Sequence, residues 1–92
     1  MTRVEMIETL NRQEKQVRAE YGFTQNEMAN VLGLSKKTLV EIEKGRSSLG
    51  WMGAVALCTL FPESHVLADS LGGEAGSLIY ALAFNDAQTH IV

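Results

Sequence analysis

The stretch TQNEMANVLGLSKKTLVEIEKGR, residues 24–46, constrains this chain most, because its pattern suits two short helices meeting at a tight turn. Thr24 can accept from the backbone of a first helical turn, and Glu27 can reach back to the Thr24 N–H, which makes a capping box. Met28, Val31 and Leu32 follow at helical spacing, and Gly33 offers the left-handed backbone on which a helix ends at little cost. The chain therefore turns at Gly33. Leu34 is expected to point inward, Ser35 supplies a second N-cap, Leu39 and Ile42 form the buried edge of a second helix, and Gly45 ends it. Ala29 sits where that second helix must cross the first steeply; a bulky side chain there would force them apart.

From Gln25 onward the small, apolar and glycine positions Met28, Ala29, Leu32, Gly33, Leu34, Leu39 and Ile42 arrive together. In type and spacing they resemble the helix-turn-helix of the phage repressor and Cro group, the XRE family. The resemblance implies an all-α fold, a five-helix phage-repressor-like domain ending near Leu71, here followed by an additional C-terminal helix. The alternative for the same pattern is a helical hairpin with no ligand.

The totals fit a small globular domain. Of 92 residues 46% are hydrophobic and one is proline, which suits a compact helical protein and argues against disorder. A net charge of −3 looks wrong for nucleic acid, but the charge is unevenly placed. Seven Lys/Arg face five Asp/Glu between Arg12 and Arg46, whereas the rest of the chain holds one against six. A balance of +2 around the motif is modest, so binding must lean on local geometry more than on a broad positive field. Cys58 has no cysteine to pair with, the start MTRVEMIETLNR lacks a secretory pattern, and a reducing cytoplasm is expected. The longest apolar run, Leu78 to Phe84, is too short to cross a bilayer, so no membrane partner is expected; nor is a metal or other cofactor.

Along the chain, a first helix is expected from about Thr2 to Tyr21, with Ile7, Leu10, Val17 and Tyr21 on its apolar side and Gly22 closing it. Glu14 interrupts that side where the family usually carries an apolar residue. The segment before Leu10 reads as an extension, either solvated or against a second subunit. The resemblance also matches Arg18 and Glu43 to a partly buried pair that, in some phage repressors, joins the first helix to the end of the recognition helix. The alternative is two exposed charges of small consequence. In WMGAVALCTLF, a fourth helix, Trp51, Ala54, Val55, Leu57, Cys58 and Phe61 form a broad apolar face, with Trp51 a core anchor and Cys58 a small buried hydrophobe. Pro62 stops this helix, and ESHVLADSL forms a fifth with Val66, Leu67 and Leu71 inward and His65 in solvent.

Residues 1–71 thus read as a helix-turn-helix domain, and 72–92 as an apolar helix with a tail from Asn85 to Val92. SLIYALAF is greasy all round and must be covered on more than one side. The expected arrangement is a sixth helix at a homodimer interface made by Leu78, Ile79, Leu82 and Phe84. The alternatives are a buried strand, or a lid on the core of its own chain.

In the resembled family the second helix of the motif, residues 35–44, enters the major groove of an operator in double-stranded DNA. Base reading falls to Lys36, Lys37 and Glu41, flanked by Thr38 and Val40. Lysine can donate to guanine and a carboxylate can accept from cytosine, which favours G·C-containing half-sites; alternatively both lysines touch only phosphates. Phosphate contacts are expected from Thr24, Gln25 and Ser35, and from Lys44 and Arg46 past the helix. Enzymatic activity is not expected: there is no GxGxxG, no P-loop, and the two histidines lie far apart. The contest is between a DNA-binding regulator, a repressor acting as a homodimer, and an antitoxin-type protein-interaction module of the same fold, whose partner is a toxin or an effector domain.

Overall fold

The computed structural model describes residues 1–91, with side chains described for residues 1–85. All of its secondary structure among these is helical: α1 (Arg3–Glu20), α2 (Gln25–Leu32), α3 (Lys36–Glu43), α4 (Gly50–Leu60), α5 (His65–Leu71) and α6 (Ala75–Ile91). The fold is that of a phage-repressor-like helical domain. Packing of α1 on α4 and α5 makes its centre; α2 and α3 lie across one side and α6 lies along α4. Met6, Leu10, Val17, Met28, Leu39, Ile42, Leu57, Cys58 and Leu67 fill the core.

Local chemistry explains most of the boundaries. Thr2 and Thr24 each build a complete capping box, with Glu5 and Glu27 respectively. Ser35 and Ser64 cap α3 and α5 with their hydroxyls. Gly33, at φ 74°, closes α2 in the left-handed conformation, and its successor Leu34 donates its N–H to the Ala29 carbonyl at 2.8 Å. Ala29 itself is buried, as a small residue at the crossing should be. Gly53 has a different role: a Cβ there would stand 2.9 Å from the Leu49 Cβ, so glycine lets Leu49 seat itself against the first turn of α4.

Several details depart from expectation. Val31, at the expected apolar spacing, is 43% exposed, because α2 turns only Met28 and Ala29 fully inward. Tyr21 is also exposed, its ring edge-on to Phe61 at 4.7 Å, so it covers the core from outside. Trp51 is half-buried rather than a central anchor. Its free face is covered by the Arg3 guanidinium, 4.1 Å from the ring centroid, a cation–π contact that ties α1 to α4. Arg3 also donates to the Ala83 carbonyl at 3.1 Å, and Met6 is fully buried. Within the segment before Leu10, Arg3 and Met6 thus pack on the chain itself, while Val4, Glu5 and Glu8 stay exposed.

The run SLIYALAF is helical, not a strand, and α6 continues through Ile91, so residues expected to form a tail lie in helix; Val92 is outside the described residues. Ile79 is 4% exposed in the chain's own core, with Leu78 and Leu82 packed beside it. On that side α6 lies as a lid on the chain's own core, with little of Ile79 left exposed. Its other side presents Tyr80 and Phe84, with ring centroids 4.4 Å apart.

Candidate nucleic-acid interface

Helix α3 is short, and its first turn faces solvent. Lys36 and Lys37 are exposed, and neither makes a hydrogen bond or ion pair among the described residues. Burial of Leu39 and Ile42 on the opposite side fixes the helix's rotation, so the lysines are held outward by the core. Thr38 and Val40 are half-buried at the margin. Glu41 does not stand free: Arg46 reaches back to it at 3.2 Å, an exposed pair that water and salt weaken. Two expected roles, base reading by Glu41 and phosphate clamping by Arg46, thus begin from mutual contact.

The expected phosphate residues divide in the same way. The hydroxyls of Thr24 and Ser35 accept from the N–H groups of Glu27 and Thr38, so they are engaged in capping, and Ser35 also donates to the Thr38 hydroxyl at 2.9 Å. Lys44 is exposed past the end of α3. Gln25 opens α2 but points back, its amide donating to Glu43 at 3.2 Å.

Behind this face lies a charged junction. Arg18 on α1 grips Glu43 on α3 with both ends of its fork, at 2.8 and 3.0 Å, and spends a third donor on the Phe23 carbonyl in the turn before α2. The side chains are 17% and 5% exposed, so the pair is buried rather than superficial. Burial works against the Glu43 carboxylate, but hydrogen bonds from Arg18, Glu14 and Gln25 outweigh it and hold its pKa below the ordinary value. The same contact with Glu43 raises Arg18.

Glu14 is the surprise of the site. It is fully buried, and among the described residues neither of its carboxyl oxygens has a hydrogen-bond donor. Its polar neighbour is the Glu43 carboxylate, and burial, the hydrogen bond with Glu43 and the negative charge there push it up to about 8. Burial and the nearby negative charge thus favour the protonated form of Glu14 at neutral pH. The interruption of the apolar side of α1 was visible in the sequence; the junction that accommodates it was not.

Sequence reasoning also missed Asn11. Its carbonyl oxygen accepts from the Leu49 N–H at 2.8 Å and its amide donates to Ser48 at 3.1 Å, anchoring the loop after α3 to α1. Beside it opens a cleft of about 310 Å³ between α1 and the end of α3, edged by Arg12, Lys15 and Lys44. Cys58 is buried among apolar side chains, which pushes its thiol up to about 11 and leaves it a packing residue.

With this geometry in view, residues 15–50 match the family model HTH_3, helix-turn-helix. Residues 15–50, from the end of α1 through α2, α3 and the loop into α4, are thus similar to the helix-turn-helix of the XRE family of DNA-binding regulators. Searches of curated proteins and of solved structures found no match. Among the described residues no helix is long and apolar enough to cross a membrane.

Proposed function

We propose that this protein is a sequence-specific transcriptional repressor that binds operator DNA as a homodimer and reads the major groove with α3. The observation that carries this reading is the pair of exposed, unpartnered ammonium groups of Lys36 and Lys37 on the first turn of α3. Residues there reach deepest into a groove that admits one helix, and lysine donates to the O6 and N7 of guanine. Thr38 and Val40 flank the lysines for contact with a thymine methyl. Glu41 accepts from cytosine once Arg46 turns from it to a phosphate. Thr24, Gln25, Ser35, Lys44 and Arg46 surround α3 as phosphate contacts. For Thr24 and Ser35 the contact is through helix N-termini, since their hydroxyls are occupied.

Affinity per half-site is modest in this reading, because the loop after Arg46 adds no further cation. Pairing of two subunits, with half-sites about 34 Å apart, restores it. The surface that supports pairing is the outward side of α6, where Tyr80 and Phe84 border a groove of about 340 Å³ floored by Val55 and Ile79. The same groove supports the second reading, an antitoxin-type module that holds a different protein there. Residues 1–71 act in both readings as the DNA-binding unit and 72–92 as the assembly element.

Selection from random duplex DNA at 0.1 M salt tests the proposal. Enrichment of two-fold symmetric sites with G·C pairs opposite α3 is expected, with log affinity falling by roughly 5 per unit of log salt for about six phosphates. No enriched sequence would overturn it. For the dimer, Phe84→Glu is expected to halve the sedimentation mass; an unchanged dimer mass would remove α6 from the interface, and a monomeric parent would favour a different protein in the groove.

A further inference from the structure

Of the seven Lys/Arg between Arg12 and Arg46, Arg18 is spent on Glu43 and four belong to the face around α3, which leaves Arg12 and Lys15 without a task. They lie three residues apart on α1 and so share one side of it. Lys44, past the end of α3, completes a triangle with them around one cleft of about 310 Å³, in which Ile42 is a buried lining residue. We propose that this cleft binds a phosphate ester, with Arg12, Lys15 and Lys44 as the groups that neutralise it. The ester is a sugar-phosphate unit, either of the operator backbone or of a free small molecule. For the first source the proposal rests on the DNA-binding reading above; for the second it stands apart from that reading.

Three positive charges gather here without being answered by the fold. The side chains of Lys15 and Lys44 are exposed and make no hydrogen bond or ion pair among the described residues, and Arg12 has a long contact of 3.5 Å with the Thr9 hydroxyl. One acid lines the cleft, Glu43, and its charge is met from within: Arg18 holds both of its oxygens, at 2.8 and 3.0 Å. Glu8, one turn before Arg12, is exposed and lies outside the lining, while Glu41 is held by Arg46 at 3.2 Å. Helix α3 ends beside the cleft, where free carbonyls would repel an anion. Those of Val40, Glu41 and Ile42 instead accept from the N–H groups of Lys44, Arg46 and Gly45. Cations set around one cleft repel one another, and an anion between them relieves that repulsion besides adding its own attraction.

The walls are fixed before anything binds. The Arg18–Glu43 pair joins α1 to the end of α3. Asn11, next to Arg12, accepts from the Leu49 N–H at 2.8 Å and donates to Ser48 at 3.1 Å, which fastens the loop after α3 to the same turn of α1. Walls already in place spare a ligand the cost of ordering them. The volume lies at the lower end of small-ligand sites, roughly 300–1,000 Å³, and the Gln16 amide in the lining is free to bond a sugar hydroxyl. The arginine fork and the lysine ammonium groups both donate to phosphate oxygens.

The test compares the full chain with its Arg12→Gln, Lys15→Gln double variant, whose altered side chains are exposed and leave the core untouched. For the free source, ribose 5-phosphate is titrated at fixed ionic strength and followed by amide NMR. Shifts at Gln16 and Gly45 are expected to half-saturate at or below about 1 mM, and at least about tenfold higher in the variant. For the operator source, ethylation interference is read on a selected duplex. One phosphate per half-site is expected to interfere with the parent and fall silent with the variant, whose log-salt slope is shallower by about 1 to 2 per subunit. Either result supports the site and names its source. Unsaturated or unchanged shifts together with an unchanged interference pattern would overturn it, and leave the DNA-binding reading standing. If the folded chain binds no duplex at any salt, that reading fails, and the cleft stands or falls on ribose 5-phosphate alone.

Discussion

The helix-turn-helix and α6 are built by opposite means. In α2 and α3, each end is set by a residue within a few positions of it: the Thr24 box, Gly33 at φ 74°, the Ser35 cap. In the SLIYALAF run of α6 every face is apolar, and nothing local says which one turns inward. Contact with α4 decides that, by seating Ile79 and leaving Tyr80 and Phe84 outside. Locally specified helices hold a surface in fixed orientation, which a groove reader requires. A helix placed only by its neighbours has an apolar side left over for assembly.

The sharpest way to break this comparison is at the junction that locks α3 to α1. Arg18→Met is expected to cost about 3–5 kcal/mol of stability at pH 7 by urea unfolding, because Glu43 is left buried without its partner. The sign of its pH dependence follows from Glu43. A carboxyl held below its ordinary pKa contributes stability above that value and loses it as pH falls. The gap between wild type and variant should therefore narrow in acid. A cost under 1 kcal/mol at pH 7 would mean the motif does not depend on this pair.

Next in size is the sidedness of α6. Ile79→Ala is expected to cost about 2–5 kcal/mol, whereas Tyr80→Ala should stay within about 0.5 kcal/mol for the isolated subunit. Equal costs would show that α6 has no inward side. The smallest effect belongs to the caps. Ser35→Ala should lose about 1 kcal/mol, read from the urea midpoint, with α3 loosened at its N-terminal end.

This difference also explains what could be read from the sequence. Capping boxes, the Gly33 turn and the Leu39–Ile42 edge are short-range patterns, so the motif and its lysines were legible residue by residue. The Arg18–Glu43 pair was reached through family resemblance, and the structure places it at 2.8 Å. The packed start of α1 was not legible, because Arg3 finds Trp51 and Ala83 only after folding. Neither was the inward face of α6, nor the full burial of the Glu14 carboxyl. Asn11 gave no signal at all: a lone polar residue on a helix predicts no loop anchor.

The central claim is that Lys36 and Lys37 carry the recognition of DNA. Its most direct test is the binding of a selected duplex by the Lys36→Ala, Lys37→Ala double variant beside the parent at equal salt, with helicity checked by circular dichroism. If each lysine contributes about 1–3 kcal/mol of base discrimination, their joint loss should bring the selected site down to the affinity of random duplex while helicity is unchanged. A double variant that still prefers the selected site as strongly as the parent would contradict the account.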